Sequence, residues 1–162
     1  MHAMRTLNFG FHGTRDSLSA STNGKMSEYN AAVGLAELDD WGSKYSALSN
    51  VMALYRQSME TVQLSKFLCT SPDISTSYAL LVCRTSDEAK AAERSLDHHN
   101  IDCRRWYGTG VQHHTYFSAL PRDRLESTDD ILPRLIGLPV APDLTEPEVQ
   151  RVVAAVRERL SG

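Results

Sequence analysis

From Met26 to about Met59 the chain repeats apolar residues at the spacing of a helix face. Met26, Tyr29, Val33 and Ala36 follow at intervals of 3, 4 and 3, and Trp41, Tyr45, Leu48, Met52, Tyr55 and Met59 continue at 4, 3, 4, 3 and 4. A second stripe, Ala31, Leu35 and Leu38, lies on another face of the first half. The predicted helix must therefore be covered on two sides, which a lone small domain finds hard to supply. Gly42, just after Asp39 and Asp40, is the expected break, because glycine costs about 1 kcal/mol in a helix interior.

Downstream the period changes. Lys66–Ser71 and Ser77–Thr85 are short runs rich in Leu, Val, Phe, Tyr and Cys, parted by the turn-forming Ser71-Pro72-Asp73, and they read as two strands. Ser86 is expected to cap a helix with Asp87 and Glu88 in its first turn and a stripe of Ala89, Ala92 and Leu96. Ile101–Tyr107 reads as a third strand and Leu135–Val140 as a fourth. Thr145-Glu146-Pro147-Glu148 is a capping box, and Val149, Val152, Val153, Val156 and Leu160 form one stripe behind it. The predicted fold class is α+β, a long N-terminal helix plus a small β-sheet with helices packed on it. It divides into a strand/turn segment at 1–24, a long interface helix at 25–62 and a small α+β domain at 63–162.

Composition narrows the function. A chain of 162 residues is one ordinary domain, too short to hold both halves of a two-domain cofactor enzyme. A formal net charge of −3 lacks the basic field that a phosphate backbone requires, so nucleic acid is excluded as the expected partner. No apolar run reaches membrane-spanning length and Met1–Gly10 has no signal-peptide core, so a cytoplasmic protein is expected. Cys69, Cys83 and Cys103 are spaced for neither a disulfide framework nor a zinc site and are read as buried reduced thiols. The pairs His98-His99 and His113-His114 have no carboxylate or thiol at ligand spacing, so no metal is expected. His98-His99 reads as a helix C-terminus, and Asp129-Asp130 as a solvated face.

The segment Asn23-Gly24-Lys25-Met26-Ser27-Glu28-Tyr29-Asn30-Ala31-Ala32-Val33-Gly34-Leu35-Ala36-Glu37-Leu38 is a polar turn at a helix N-terminus, where free amides favour an anion. It closely resembles the N-(G/Y)-(R/K)-M-S-E-x-x-A-A-x-G-L-A-x-L motif of the DegT/DnrJ/EryC1/StrS family of pyridoxal-phosphate-dependent aminotransferases, which act on nucleotide-linked keto sugars. Arg5-Thr6-Leu7-Asn8-Phe9-Gly10 is similar to the strand and turn before that motif. Ile136-Gly137-Leu138-Pro139-Val140-Ala141-Pro142 with Leu144-Thr145 is similar to the late L-P-x-x-P-x-L-T signature. The resemblance runs from about Met4 to Leu160 and covers the C-terminal, small-domain part of that family's polypeptide.

The resemblance implies pyridoxal phosphate as cofactor, but the lysine that carries it belongs to the preceding large domain. Lys25, Lys44, Lys66 and Lys90 match no such position, so no catalytic residue is assigned and the chain is expected to be inactive alone. The implied partners are a second copy or a separate large-domain chain, and the implied ligand is a nucleotide sugar. The alternative is a non-catalytic dimerisation or ligand-binding module that kept the fold. By resemblance Asn23 reaches the cofactor phosphate of the other subunit, and by residue type it is a turn or cap residue. By the same resemblance Lys25 is expected to face the diphosphate of a nucleotide sugar, and by residue type it is a solvated lysine beside a helix start. Ser27 and Glu28 read as cap and first-turn acid. Arg104 and Arg105 fall on opposite faces of their strand, so one arginine is suited to bidentate phosphate binding while Trp106 or Tyr107 stacks on a sugar or base. Trp106 stands where many family members have histidine. His113 lies near the family's active-site loop histidine. The expected substrate residues are thus Lys25, Arg104, Arg105, Tyr107 and His113.

Overall fold

The computed structural model describes residues 2–9, 11–13, 16–69, 78–105, 108 and 110–160. They fall into two compact units, Met1–Gly42 and Ser43–Gly162.

In the first unit, α1 (His2–Thr6) precedes a single antiparallel bridge between Asn8 and Asn23, and α2 (Glu28–Asp39) follows. Arg5 and Thr6 thus close a short helix where a strand was expected, and the extended pairing begins only at Asn8. Ser27 caps α2 as expected, accepting from the Asn30 amide at 3.2 Å. No residue of α2 is buried, and Tyr29, Leu35 and Leu38 are 78%, 64% and 68% exposed. Both stripes seen in the sequence are therefore uncovered. The helix stops at Asp40, whose φ of −89° and ψ of 0° leave the α-helical basin, and not at Gly42. Gly42 instead lies in the first turn of the next helix.

The second unit holds nearly all of α3 (Trp41–Thr61), then β1 (Leu68–Cys69), β2 (Ala79–Val82), α4 (Ser86–His98), α5 (Thr115–Ser118), α6 (Glu126–Ile131), β3 (Leu135–Leu138) and α7 (Glu146–Leu160). The strands form one antiparallel sheet in the order β1-β2-β3. The strand expected over Ile101–Tyr107 reduces, among the described residues, to one bridge from Arg104 to Gly137, with N–O separations of 2.9 and 2.7 Å. Trp106 and Tyr107 lie outside the described residues, as do Thr70–Ser77 at the ends of the two predicted strands.

Val51, Met52, Tyr55 and Met59 of α3 are buried with Ala79 and Leu81 of β2, Ile136 of β3, Ala89, Ala92 and Leu96 of α4, and the whole expected stripe of α7. Tyr55, fully buried, donates its hydroxyl to the Pro139 carbonyl at 2.7 Å, and burial pushes its pKa far above the ordinary tyrosine value. The cap of α4 is Thr85, not Ser86. Thr85 Oγ1 accepts from the Glu88 amide at 3.1 Å, and the Glu88 carboxylate accepts from the Arg84 amide at 2.9 Å. At α7, Glu148 accepts from both the amide and the hydroxyl of Thr145, at 2.8 and 2.6 Å, the amide contact being the glutamate half of the expected capping box. His98 ends α4 and His99 is its C-cap, as expected. Cys83 is buried, Cys103 partly so, and Cys69 is exposed, which corrects the expectation of three buried thiols.

One polar cluster ties α4 to α7. Glu158 accepts from Ser95 Oγ at 2.9 Å and pairs with His99 Nε2 at 3.0 Å, while Arg151 donates to the His99 carbonyl. The Ser95 and His99 contacts hold the Glu158 carboxyl below the usual glutamate value.

Tyr55→Phe removes one buried hydrogen bond and is expected to cost about 1 to 2 kcal/mol in denaturant unfolding. The lowered Glu158 and Glu148 carboxyls contribute stability that is complete above the unfolded-state value near about 4.3 and is lost as pH falls through the lower folded values. The urea midpoint is therefore expected to drop between about pH 5 and about pH 3, and less steeply in Glu158→Gln.

Candidate functional site

The turn before α2 is fixed by backbone contacts. Thr22 N donates to Thr6 O at 3.0 Å, Phe9 N to Thr22 O at 3.2 Å and Gly24 N to Leu7 O at 3.0 Å. A Cβ added at Gly24 would stand 2.5 Å from Leu7 Cδ2, so that side chain would have to shift to admit one. Asn23 and Lys25, on either side, are exposed, and they share this turn with the first-turn amides of α2. A carboxamide, an ammonium and a helix N-terminus are the donor set that an oxyanion takes.

In the second unit the two arginines part company. Arg105 Nε and Nη2 each donate to the Glu93 carboxylate at 2.7 Å, and Nη1 donates to the carbonyls of Pro133 at 2.7 Å and Leu135 at 3.4 Å. All three of its nitrogens are thus engaged inside the domain, clamping the 104–105 segment to α4 and to the start of β3. Arg104 carries no such load: its guanidinium has no partner among the described residues, and it lines an open pocket of about 660 Å3 with Tyr78, Leu80, Cys103, Gly137 and Pro139. None of the chain's four lysines lines that pocket.

His113 ends a 3-10 turn, Val111–His113, entered through Gly110 at φ 106°. A Cβ on Gly110 would lie 2.6 Å from both Gln112 Oε1 and Leu132 Cδ1. The turn brings Gln112 Nε2 to 2.8 Å and His113 Nε2 to 3.1 Å from one oxygen of Asp129 on α6. These contacts, Gln112's foremost, hold the Asp129 carboxyl below its usual value. The Asp129-Asp130 pair is therefore not merely solvated, since Asp130 in turn pairs with Arg134. Tyr107 lies outside the described residues.

The described residues do not assemble a cofactor pocket by themselves. Asn23 offers one carboxamide to a phosphate, Lys66 Nζ sits 5.1 Å above the Phe67 ring and Lys90 pairs with Asp87 at 3.4 Å. Glu93 escaped the sequence reading, which places Asp129 only on a solvated face. A carboxylate on α4 gives no local sign that it faces an arginine twelve residues on, and Asp129 meets His113 only through the turn at Gly110.

Residues 2–157 match the DegT/DnrJ/EryC1/StrS aminotransferase family. The chain belongs to that family. It is 34% identical to Protein Rv3402c of Mycobacterium tuberculosis across 97% of its own length and 39% of that protein's. It is 29% identical to the dTDP-3-amino-3,4,6-trideoxy-alpha-D-glucose transaminase of Streptomyces venezuelae, over 93% of this chain and 40% of that one. A provisionally named PLP-dependent aminotransferase from Bacillus cereus superposes with a TM-score of 0.84 at 24% identity, over 94% of this chain and 42% of that one. This member of the family thus spans about two fifths of the length of the curated relatives it matches. Its mixed α+β architecture is the one those aminotransferases share over that portion, and no helix among its described residues is long and apolar enough to cross a membrane.

Glu93→Ala strands Arg105 without its carboxylate and is expected to cost about 1 to 3 kcal/mol in urea unfolding, with Arg105→Lys intermediate because lysine cannot reproduce the fork.

Proposed function

We propose that this chain is the small-domain portion of a pyridoxal-phosphate-dependent aminotransferase for nucleotide-linked keto sugars, working in the cytoplasm only when joined by a lysine-bearing large domain. The observation that carries the reading is the family match across residues 2–157, with the Asn23–Leu38 motif set at a helix N-terminus. The Streptomyces venezuelae relative is named for a dTDP-linked amino sugar, which supports a nucleotide sugar as the ligand class.

The cofactor supplies the electron sink for amino transfer. This chain's own part is to bind and orient. The Asn23 carboxamide donates to the cofactor phosphate of the other subunit and Lys25 faces the diphosphate of a nucleotide sugar, while His113, held by Asp129, is a substrate-binding residue of the second unit. Tyr107 stacks on the sugar or base. Arg104, with no competing partner among the described residues, takes the substrate-binding part that Arg105 cannot while its nitrogens serve Glu93 and the Pro133 and Leu135 carbonyls.

The uncovered α2 supports a partner. With Tyr29, Leu35 and Leu38 exposed and apolar positions on two faces, it calls for cover from a second copy and from a large domain together.

The test mixes the purified chain with the lysine-bearing remainder of the Streptomyces venezuelae transaminase and pyridoxal phosphate. The expected result is cofactor absorbance and amino transfer to a dTDP-keto sugar in the mixture, with cofactor affinity about tenfold lower for Asn23→Ala. A specific borohydride-trapped lysine in this chain alone would overturn the reading. Binding to the partner without turnover would favour the non-catalytic module instead.

A further inference from the structure

The sheet of the second unit has two unlike faces. Leu68, Leu81 and Ile136, neighbours across the three strands, are buried in the core. The next row runs Cys69, Leu80, Gly137, Arg104, each paired directly with the one before it, and by strand alternation it occupies the opposite face. Leu80 is only partly buried, and Cys69 and Arg104 are exposed. Gly137 adds no side chain to this row, and its position lines the pocket of about 660 Å3 already described.

We propose that this pocket binds one oxyanion group, a phosphate or a carboxylate, borne by a ligand with an apolar or planar body, and that Arg104 is the residue that grips it. The proposal rests on the aminotransferase reading for the choice of probes and not for the site itself.

Three observations carry it. Arg104 has both backbone groups tied to Gly137, so the root of its side chain is fixed at the pocket's edge while the guanidinium spends no donor on any described residue. A planar fork with unspent donors matches a phosphate or carboxylate in a bidentate way. The rest of the lining is divided to suit such a ligand: Leu80, Leu138, Pro139 and Val140 give apolar walls, and Asp102 sets a carboxylate on the rim. Finally, Arg105 lies on the other side of its strand with its donors consumed by Glu93 and two carbonyls, so the pocket holds one guanidinium rather than two.

The experiment follows the amide NMR spectrum of the chain at low ionic strength during titration with inorganic phosphate, thymidine diphosphate and glutamate. The expected result is a saturable shift of the Cys103, Arg104, Gly137 and Leu138 amides at millimolar ligand or below, weakened about tenfold by Arg104→Gln. Arg104→Lys keeps the charge and loses the fork, and is expected to weaken binding about threefold or more, a loss that a mere electrostatic patch would not show. Tighter binding of phosphate or the diphosphate assigns the site to the nucleotide end of a substrate, and tighter binding of glutamate assigns it to a carboxylate donor.

Saturable shifts that survive Arg104→Gln would overturn the proposal, as would none with any of the three probes. Shifts confined to Asn23–Ser27 would overturn it too, while leaving the aminotransferase reading intact. Failure of amino transfer in the reconstituted mixture would sink that reading and leave these shifts unchanged.

Discussion

A sheet whose strands run two and four residues cannot hold itself flat through its own ladder. The second unit is held by what is fastened to the ends of that ladder. Arg105 reaches from the segment bridged to β3 across to Glu93 on α4, and its remaining nitrogen donates to the carbonyls of Pro133, just before β3, and of Leu135, its first residue. A charged fork thereby satisfies main-chain acceptors that a longer ladder would have paired. Arg134 acts alike on the neighbouring strand end, donating to the Cys83 carbonyl at 3.1 Å while it pairs with Asp130. Remove these guanidinium groups and the core stripes of α3, α4 and α7 would still seek burial, but the sheet between them would lose its register.

Periodicity carried most of the helical architecture. The α7 stripe, the capping box at Thr145 and the core half of α3 were all readable because a helix face repeats within a few residues and packing merely selects it. The strands were less so. Their apolar runs showed that extended structure was present, yet pairing at Arg104 shrank to one bridge because the ladder depends on partners far away in sequence. Boundaries slipped by a residue where two residues compete for a cap, as Thr85 and Ser86 do. At the candidate site, residue type singled out Arg104 and Arg105 but could not rank them, since the ranking is decided by a glutamate on another element.

The first unit poses the opposite problem. Its turn is tightly specified, with Gly24 pressed against Leu7 and Ser27 capping the helix, yet the helix it launches buries nothing. Local rules were obeyed there without tertiary reward. Such a segment draws its helicity chiefly from its cap and local propensity, which for a dozen residues is marginal in water.

Cys69 opens the row that ends at Arg104, and the chain's thiols are unequal. Burial pushes Cys83 up to about 11 and raises Cys103 as well, whereas Cys69 is exposed on its short strand. At neutral pH an alkylating dye should therefore choose Cys69. With neighbouring strands about 4.8 Å apart, the attached fluorophore would sit within about 15 Å of the guanidinium, close enough to register what occupies the hollow. The fold thus comes with its own reporter position, two strands removed from Gly137 in the lining of that hollow.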